Sequence, residues 1–321
     1  MRRLLKILGV IAAILVIAFL IFRTPDTDPA EMRAKYGGEP SQYVELEPGL
    51  TVHLRDEGPR DAPAIVLVHG SGADLHTWQP WVEDLREDYR VIRFDQIGHG
   101  LTGPAPDGQY ENSSFAADLG LVVDSLGLEQ FVLVGSSMGG RVAVSYALEN
   151  QERLTGLVLI GASGAPVTET GSGNLAYSIV ATPGIRNLVK FITPRSVIEK
   201  SMQQSVSNQD LVTPKQVDRY WELLRYPGNR AAALERLRIP RNQYSAEQMS
   251  GLDVPSLLMW GEEDALVPVS VGNWYAEHLP DAQLVLYPAI GHLPHEETAQ
   301  ASLADFRKWL VSGPLTTETG E

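Results

Sequence analysis

The sequence predicts an α/β fold: a mostly parallel, eight-stranded sheet flanked by helices, with a helical cap inserted late in the chain and an N-terminal transmembrane helix. Three observations predict it. Short apolar runs rich in β-branched residues alternate with longer amphipathic stretches, the pattern of a parallel sheet covered on both faces. That alternation breaks between Ala165 and Gly251, and the first residues form a separate apolar block.

Taken in order, Met1 to Lys6 carries Arg2, Arg3 and Lys6 ahead of an uninterrupted apolar run from Ile7 to Phe22. At 1.5 Å per residue this run covers about 24 Å, and Leu4 and Leu5 bring it close to a bilayer's thickness. A secretory signal would have a shorter apolar region followed by a small-x-small cleavage site. Here the run ends Ala18-Phe-Leu-Ile-Phe22-Arg23, so residues 1–22 read as an uncleaved signal anchor. Asp26, Asp28 and Glu31 follow it, and the positive-inside rule then leaves the body outside the cytoplasm, in the periplasm of a bacterium. Residues 23–40, with Pro25, Pro29, Gly37, Gly38 and Pro40, read as a linker without a sustained apolar period.

Candidate strands are Tyr43 to Glu47, Thr51 to Arg55, Ala64 to His69, Arg90 to Asp95, Phe131 to Gly135, Gly156 to Gly161, Ser256 to Trp260 and Gln283 to Tyr287. Candidate helices include Ser113 to Leu126, Met138 to Asn150, Pro268 to His278 and Glu296 to Val311. Residues 165–251 read as a helical cap over the carboxyl ends of the strands, where open α/β sheets bind ligands. Residues 313–321 read as a flexible tail, so the main domain is 41–312.

Composition narrows the function. Lys plus Arg number 26 against 40 Asp plus Glu, a net charge of −14, which argues against nucleic acid because phosphate binding needs basic side chains. The absence of Cys removes disulfides, thiolate nucleophiles and Cys-ligated zinc. Chemistry must come from Ser, His and carboxylates.

Phe131-Val-Leu-Val-Gly135-Ser-Ser137-Met-Gly139-Gly140 is a strand running through Gly-x-Ser-x-Gly into an amphipathic helix. In a nucleophile elbow the central residue is strained and the flanking glycines avoid collision, which makes Ser137 the candidate nucleophile. Ser136 falls outside that spacing. A serine hydroxyl needs a base oriented by a carboxylate, in the order Ser, acid, His. Asp264 lies beyond the strand that ends at Gly261, with Glu262 and Glu263 as rival carboxylates. His292 follows Gly291 after the last strand, whereas His295 and His278 are expected at the surface near helix ends. The backbone N–H groups of Ser71 and Met138 are the candidate oxyanion donors, one such donor being worth roughly 3 to 4 kcal/mol. His69 is expected to bond the loop backbone, and Asp95 and His99 to shape their own Gly-rich loop.

With these positions in hand, residues of about 41 to 312 resemble the α/β-hydrolase superfamily. His69-Gly-Ser-Gly72, Asp95-x-x-Gly98-His-Gly100, Gly135-x-Ser137-x-Gly139, Gly261-x-x-Asp264 and Gly291-His292 occur in its order and spacing. The resemblance implies esterases and lipases first, with carbon–carbon bond hydrolases and cofactor-free haloperoxidases or perhydrolases as relatives. Ser at position 137 departs from the haloalkane dehalogenase and epoxide hydrolase pattern, which has Asp there.

The leading expectation is a membrane-anchored serine hydrolase that cleaves small apolar acyl esters, a carboxylesterase or lipase, without metal or organic cofactor. The alternatives are a meta-cleavage-type hydrolase acting on a vinylogous diketone, a haloperoxidase or perhydrolase relative, and a silent binding module on the same fold. Export argues against the diketone reading, since ring-cleavage products are usually processed inside the cell. The sequence carries no signal for oligomeric state.

Overall fold

The computed structural model describes residues 2–47, 49–166, 190–240 and 243–315. Its centre is one eight-stranded sheet: β1 (Gln42–Glu47), β2 (Leu50–Glu57), β3 (Ala64–Val68), β4 (Arg90–Phe94), β5 (Phe131–Ser136), β6 (Leu154–Ile160), β7 (Ser256–Gly261) and β8 (Ala282–Tyr287). The spatial order is β1-β2-β4-β3-β5-β6-β7-β8. β1 with β2 and β2 with β4 pair antiparallel, and every later pairing is parallel, so the sheet is mixed at one edge and parallel elsewhere. This order puts β5 centrally, between β3 and β6.

The period of two dictates which helices cover which face. Val66, Val68, Leu133, Leu157, Leu159, Leu258 and Trp260 point into one core layer. α4 (Asn112–Ser125), α5 (Met138–Asn150) and α10 (Val269–His278) cover that face. Ile65, Leu67, Val132, Val134, Val158, Ile160, Leu257 and Met259 point the other way, toward Trp78, Trp81, Phe306 and Trp309. There α3 (Gln79–Leu85) and α12 (Ala299–Ser312) form the cover. The helix expected from Glu296 to Val311 is divided into α11 (Pro294–Glu297) and α12, because Thr298 leaves helical geometry at φ −131° and ψ 50°.

Between β6 and β7 the described residues hold α6 (Arg195–Ser205), α7 (Pro214–Leu224), α8 (Asn229–Arg236) and α9 (Ala246–Ser250). They reach the loops at the carboxyl ends of the strands: Arg219 Nε donates to Asp74 after β3, and Asn229 Nδ2 to the Gly100 carbonyl after β4. The earlier part of the expected cap, 167–189, and the tail from 316 lie outside the described residues.

The N-terminus differs in two ways from its expectation. The segment read as linker contains α2 (Pro29–Tyr36), capped by Asp28, whose carboxylate accepts from the Ala30 and Glu31 N–H groups at 2.9 Å. Met32 is buried beside Leu101, Leu223 and Tyr226. Arg230 binds Asp26 at 2.5 Å and the Thr24 carbonyl at 2.8 Å, so residues 24–36 are clasped to the body. Ahead of them, α1 (Arg2–Phe22) is a 21-residue helix whose apolar side chains stand in solvent, Ile7 at 58%, Leu15 at 64% and Ile21 at 69% exposure. From Lys6 to Phe22 it rises about 25 Å, against a hydrocarbon core of about 30 Å. Among the described residues no helix is long and apolar enough to cross a membrane, so the bilayer-spanning anchor expected for residues 1–22 is not shown.

One buried ion pair closes the first half of the sheet. Arg93 on β4 is fully buried and donates from Nη2 to Glu57 of β2 at 2.8 Å and to Gln79 at 2.8 Å. Replacing it by Met leaves Glu57, among the described residues, with the exposed Arg86 as its one ionic partner, 3.5 Å away. Breaking such a pair costs about 3 kcal/mol or more. Urea denaturation of Arg93→Met should show that loss; a change below about 1 kcal/mol would mean the pair is dispensable.

Candidate active site

At the end of β5 the backbone turns through Ser137 at φ 54° and ψ −115° and enters α5 at Met138. A non-glycine residue there carries strain of order 1 to 3 kcal/mol and persists only where its surroundings impose it. The surroundings are close. A Cβ at Gly139 would run into the Val68 and His69 carbonyl oxygens, one at Gly135 into the Gly139 carbonyl, and one at Gly140 into Ala162. The Ser137 N–H donates to the Ile160 carbonyl at 2.9 Å, and its carbonyl accepts from the Ser163 N–H at 3.2 Å. Ser136 is buried, and its hydroxyl has no partner among the described residues.

Beyond β7, Asp264 is buried while Glu262 and Glu263 are exposed. Its Oδ1 accepts from the Leu266 and Val267 N–H groups at 2.9 and 2.8 Å, and its Oδ2 lies 2.7 Å from His292 Nδ1. A carboxylate at Nδ1 assigns the proton to that nitrogen and leaves Nε2 as the basic lone pair. The His292 ring packs on Gly161, where a Cβ would lie 3.0 Å from Nδ1 and 3.1 Å from Cε1. Ser163, two residues on, is the donor to the Ser137 carbonyl. The turn 161–163 thus adjoins both Ser137 and His292.

On the other side of Ser137 lies the loop after β3. A Cβ at Gly70 would come within 3.1 Å of Ser137 Cβ and 3.7 Å of its Oγ, so this glycine keeps the space beside the hydroxyl open. Ser71 is half-buried in that loop. The Met138 N–H opens α5 and has no intrahelical partner. His69 shapes the loop as expected: its Nδ1 is 2.8 Å from the Gly70 carbonyl, and its Nε2 accepts from the Gln96 N–H at 3.1 Å. Burial holds His69 below its ordinary pKa and His99 well below, keeping both neutral. Asp95 accepts from the Leu75 and Leu101 N–H groups at 2.8 Å and pairs with His53 at 2.7 Å. Burial works to raise its pKa, but the His53 charge and hydrogen bond win and lower it.

His295 corrects one expectation. It is not at the surface but 1% exposed, its ring 4.5 Å from Trp78 and 6.4 Å from Trp81. Sequence spacing put it at a helix end; the two Trp rings that bury it come from elsewhere in the chain. Nearby, Thr77 donates to Glu296, and Asp74 takes Arg219 at 3.1 Å and His76 at 2.7 Å. Burial pushes the Asp74 carboxyl up, but Arg219 and the His76 hydrogen bonds outweigh it and hold the group ionised. Asp74, Arg219, Glu296 and Glu297 carry no motif, and sequence reasoning missed them.

The alpha/beta hydrolase fold family matches residues 63–299, and the chain belongs to that family. It is 28% identical over 274 residues to a 2-hydroxy-6-oxononadienedioate/2-hydroxy-6-oxononatrienedioate hydrolase of Comamonas testosteroni, covering 81% of this chain and 93% of that protein. Among solved structures, a thermophilic esterase from Thermogutta terrifontis matches with a TM-score of 0.70 and 27% identity over 84% of this chain and 98% of its own. A bacterial membrane phospholipase A matches with a TM-score of 0.75 over 97% of this chain and 99% of its own; at 23% identity that likeness shows the fold. The chain is thus a hydrolase of the α/β fold, and its relatives act on small substrates.

Burial, with neighbouring His292, pushes the His295 pKa down to about 3. An unfolded histidine titrates near 6.5, so as pH falls below that value the unfolded chain takes up the proton first. The stability held by neutral His295 is therefore complete above about pH 6.5 and drains away toward pH 3, at a rate approaching about 1.4 kcal/mol per pH unit. Chemical denaturation of His295→Phe between pH 7 and 4 should show a correspondingly shallower acid decline than the parent chain. Parallel declines would mean that His295 charges in the folded state.

Proposed function

We propose that the chain is a serine hydrolase in which Ser137 is the nucleophile, His292 the general base and acid, and Asp264 the residue that fixes the imidazole. The observation that carries this is the 2.7 Å contact of Asp264 with His292 Nδ1, beside a serine held at positive φ on an elbow. Ser137 Oγ attacks the substrate carbonyl as His292 Nε2 takes its proton. The N–H groups of Ser71 and Met138 hold the oxyanion. Collapse expels the leaving group, which receives the proton from His292, and water then releases the acyl group by the reverse proton path.

For the substrate, the carbon–carbon reading stands ahead of the ester reading that the sequence favoured. The Comamonas relative, matched over 93% of its length, acts on a 2-hydroxy-6-oxo dienedioate. On such a substrate the 2-enol would first tautomerise to its ketone with a proton gained at C5; Ser137 would then add to the C6 carbonyl, and on cleavage the C5–C6 electrons would pass into a conjugated dienolate while C6 stays on Ser137 as the acyl group. Two structural observations support ester hydrolysis as the second reading. One is the likeness to an esterase at 27% identity. The other is the exposed apolar face of α1, which suits attachment to a membrane with the hydrolase domain outside the cytoplasm. A net charge of −14 also favours a neutral ester over a dianion.

The full chain in detergent, assayed against p-nitrophenyl esters of short to long acyl length and against a 2-hydroxy-6-oxo dienoate, tests both readings. Ser137→Ala should lower turnover of the preferred substrate by about a thousandfold or more while leaving the circular dichroism spectrum unchanged. Retained turnover in that variant removes Ser137 as nucleophile. Cleavage of the dienoate at least tenfold faster than any ester, in kcat/KM, supports the carbon–carbon reading; the reverse order replaces it with the ester reading. Flotation with phosphatidylglycerol vesicles, lost on deletion of residues 2–22, tests attachment. Full-length chain that stays at the bottom of the gradient refutes it.

A further inference from the structure

Glu297, the last residue of α11, spans two parts of the chain with one carboxylate. Its Oε1 accepts from the Gly291 N–H at 2.9 Å and from the Leu293 N–H at 3.4 Å, the residues on either side of His292. Its Oε2 accepts from the Ser207 N–H at 2.7 Å and the Asn208 N–H at 3.1 Å, in the segment that follows α6. The N–H of His292 itself donates to the Ser205 carbonyl at 2.8 Å. Gly291 makes the approach feasible, because a Cβ there would lie 2.9 Å from Glu297 Oε1 and 3.0 Å from the Ser205 carbonyl. The backbone carrying His292 is therefore held by the inserted segment 205–208 as well as by the sheet.

We propose that Glu297 is a positioning residue for His292, so that the seating of residues 205–208 is a condition for the base to stand in register with Ser137. The inference rests on the role of His292 given above. Charge-assisted bonds from backbone N–H groups to a carboxylate are short and about twice as strong as neutral ones. Four of them on one group fix the loop from both sides. A Gln in its place offers one acceptor oxygen, and its NH2 group must face two donors, so one half of the clasp opens. An Asp is a methylene too short to reach both halves. A misplacement of about 1 Å in a catalytic group costs on the order of a hundredfold in rate.

The test is the second-order rate of labelling by a fluorophosphonate, a probe that needs an activated serine and is indifferent to substrate class. It is measured on the full chain in detergent beside the thermal midpoint. Glu297→Gln and Glu297→Asp should each label at least tenfold more slowly than the parent chain at a temperature where all three are folded. Asn208→Pro removes one donor of the inserted segment at a residue whose φ of −81° suits proline, and should slow labelling severalfold with Glu297 intact. Labelling within twofold of the parent in the Gln and Asp variants, with only the thermal midpoint lowered, overturns the proposal. His292→Ala is the separate control: undiminished labelling there refutes the role of His292 itself, whatever the Glu297 variants do.

Discussion

The site depends on one backbone constraint, the positive φ of Ser137. To hold it, α5 must start hard against the ends of the neighbouring strands, and three glycines make room: Gly139 against the end of β3, Gly140 against Ala162 after β6, and Gly135 against the first turn of α5 itself. Sheet order does the rest. β5 lies between β3, which brings Gly70 and Ser71, and β6, which brings the turn 161–163 against the His292 ring. Asp264 follows β7 and His292 follows β8. All these groups gather at the carboxyl ends of the strands, the position that parallel topology leaves open to ligands.

A second tier of buried and half-buried polar groups surrounds this tier and fastens the inserted segment to it. Asp74, four residues past Gly70, holds Arg219 of α7 and is kept ionised by it. Glu296 accepts from Thr77 in the same region, and Glu297 holds residues 207–208. Such groups are costly to bury unpaired, so each contact makes the seating of the inserted helices more nearly all-or-none. The N-terminal residues join the same arrangement. Arg230 reaches back to Thr24 and Asp26, and Lys35 and Tyr36 both reach Glu222 of α7. Whatever surface covers α1 is thereby connected through a clasped segment to the helices over the site.

What was legible in the sequence is what local pattern controls. The eight strands follow from apolar runs, and their ends shift by no more than two residues from expectation, as at β2 and β6. The elbow followed from glycine spacing, and Asp264 from its place beyond a strand that stops in a Gly turn. What was not legible depends on distant partners. Nothing near His295 announces that Trp78 and Trp81 will enclose it. α2 has one buried residue, Met32, too little to produce an apolar period. α3 is a single short helix whose Trp81 finds its hydroxyl partner, Ser302, at 3.1 Å on α12. Glu297 carries no motif, and two of its four donors, Ser207 and Asn208, lie about 90 residues before it.

The central claim is that Ser137 is the hydroxyl that this architecture activates. Peptide mass spectrometry after reaction with a fluorophosphonate tests it most directly. One adduct per chain is expected, on the peptide containing Ser137, and none on Ser136 or Ser163. An adduct on another serine as the major product, or none on an otherwise folded chain, would contradict it.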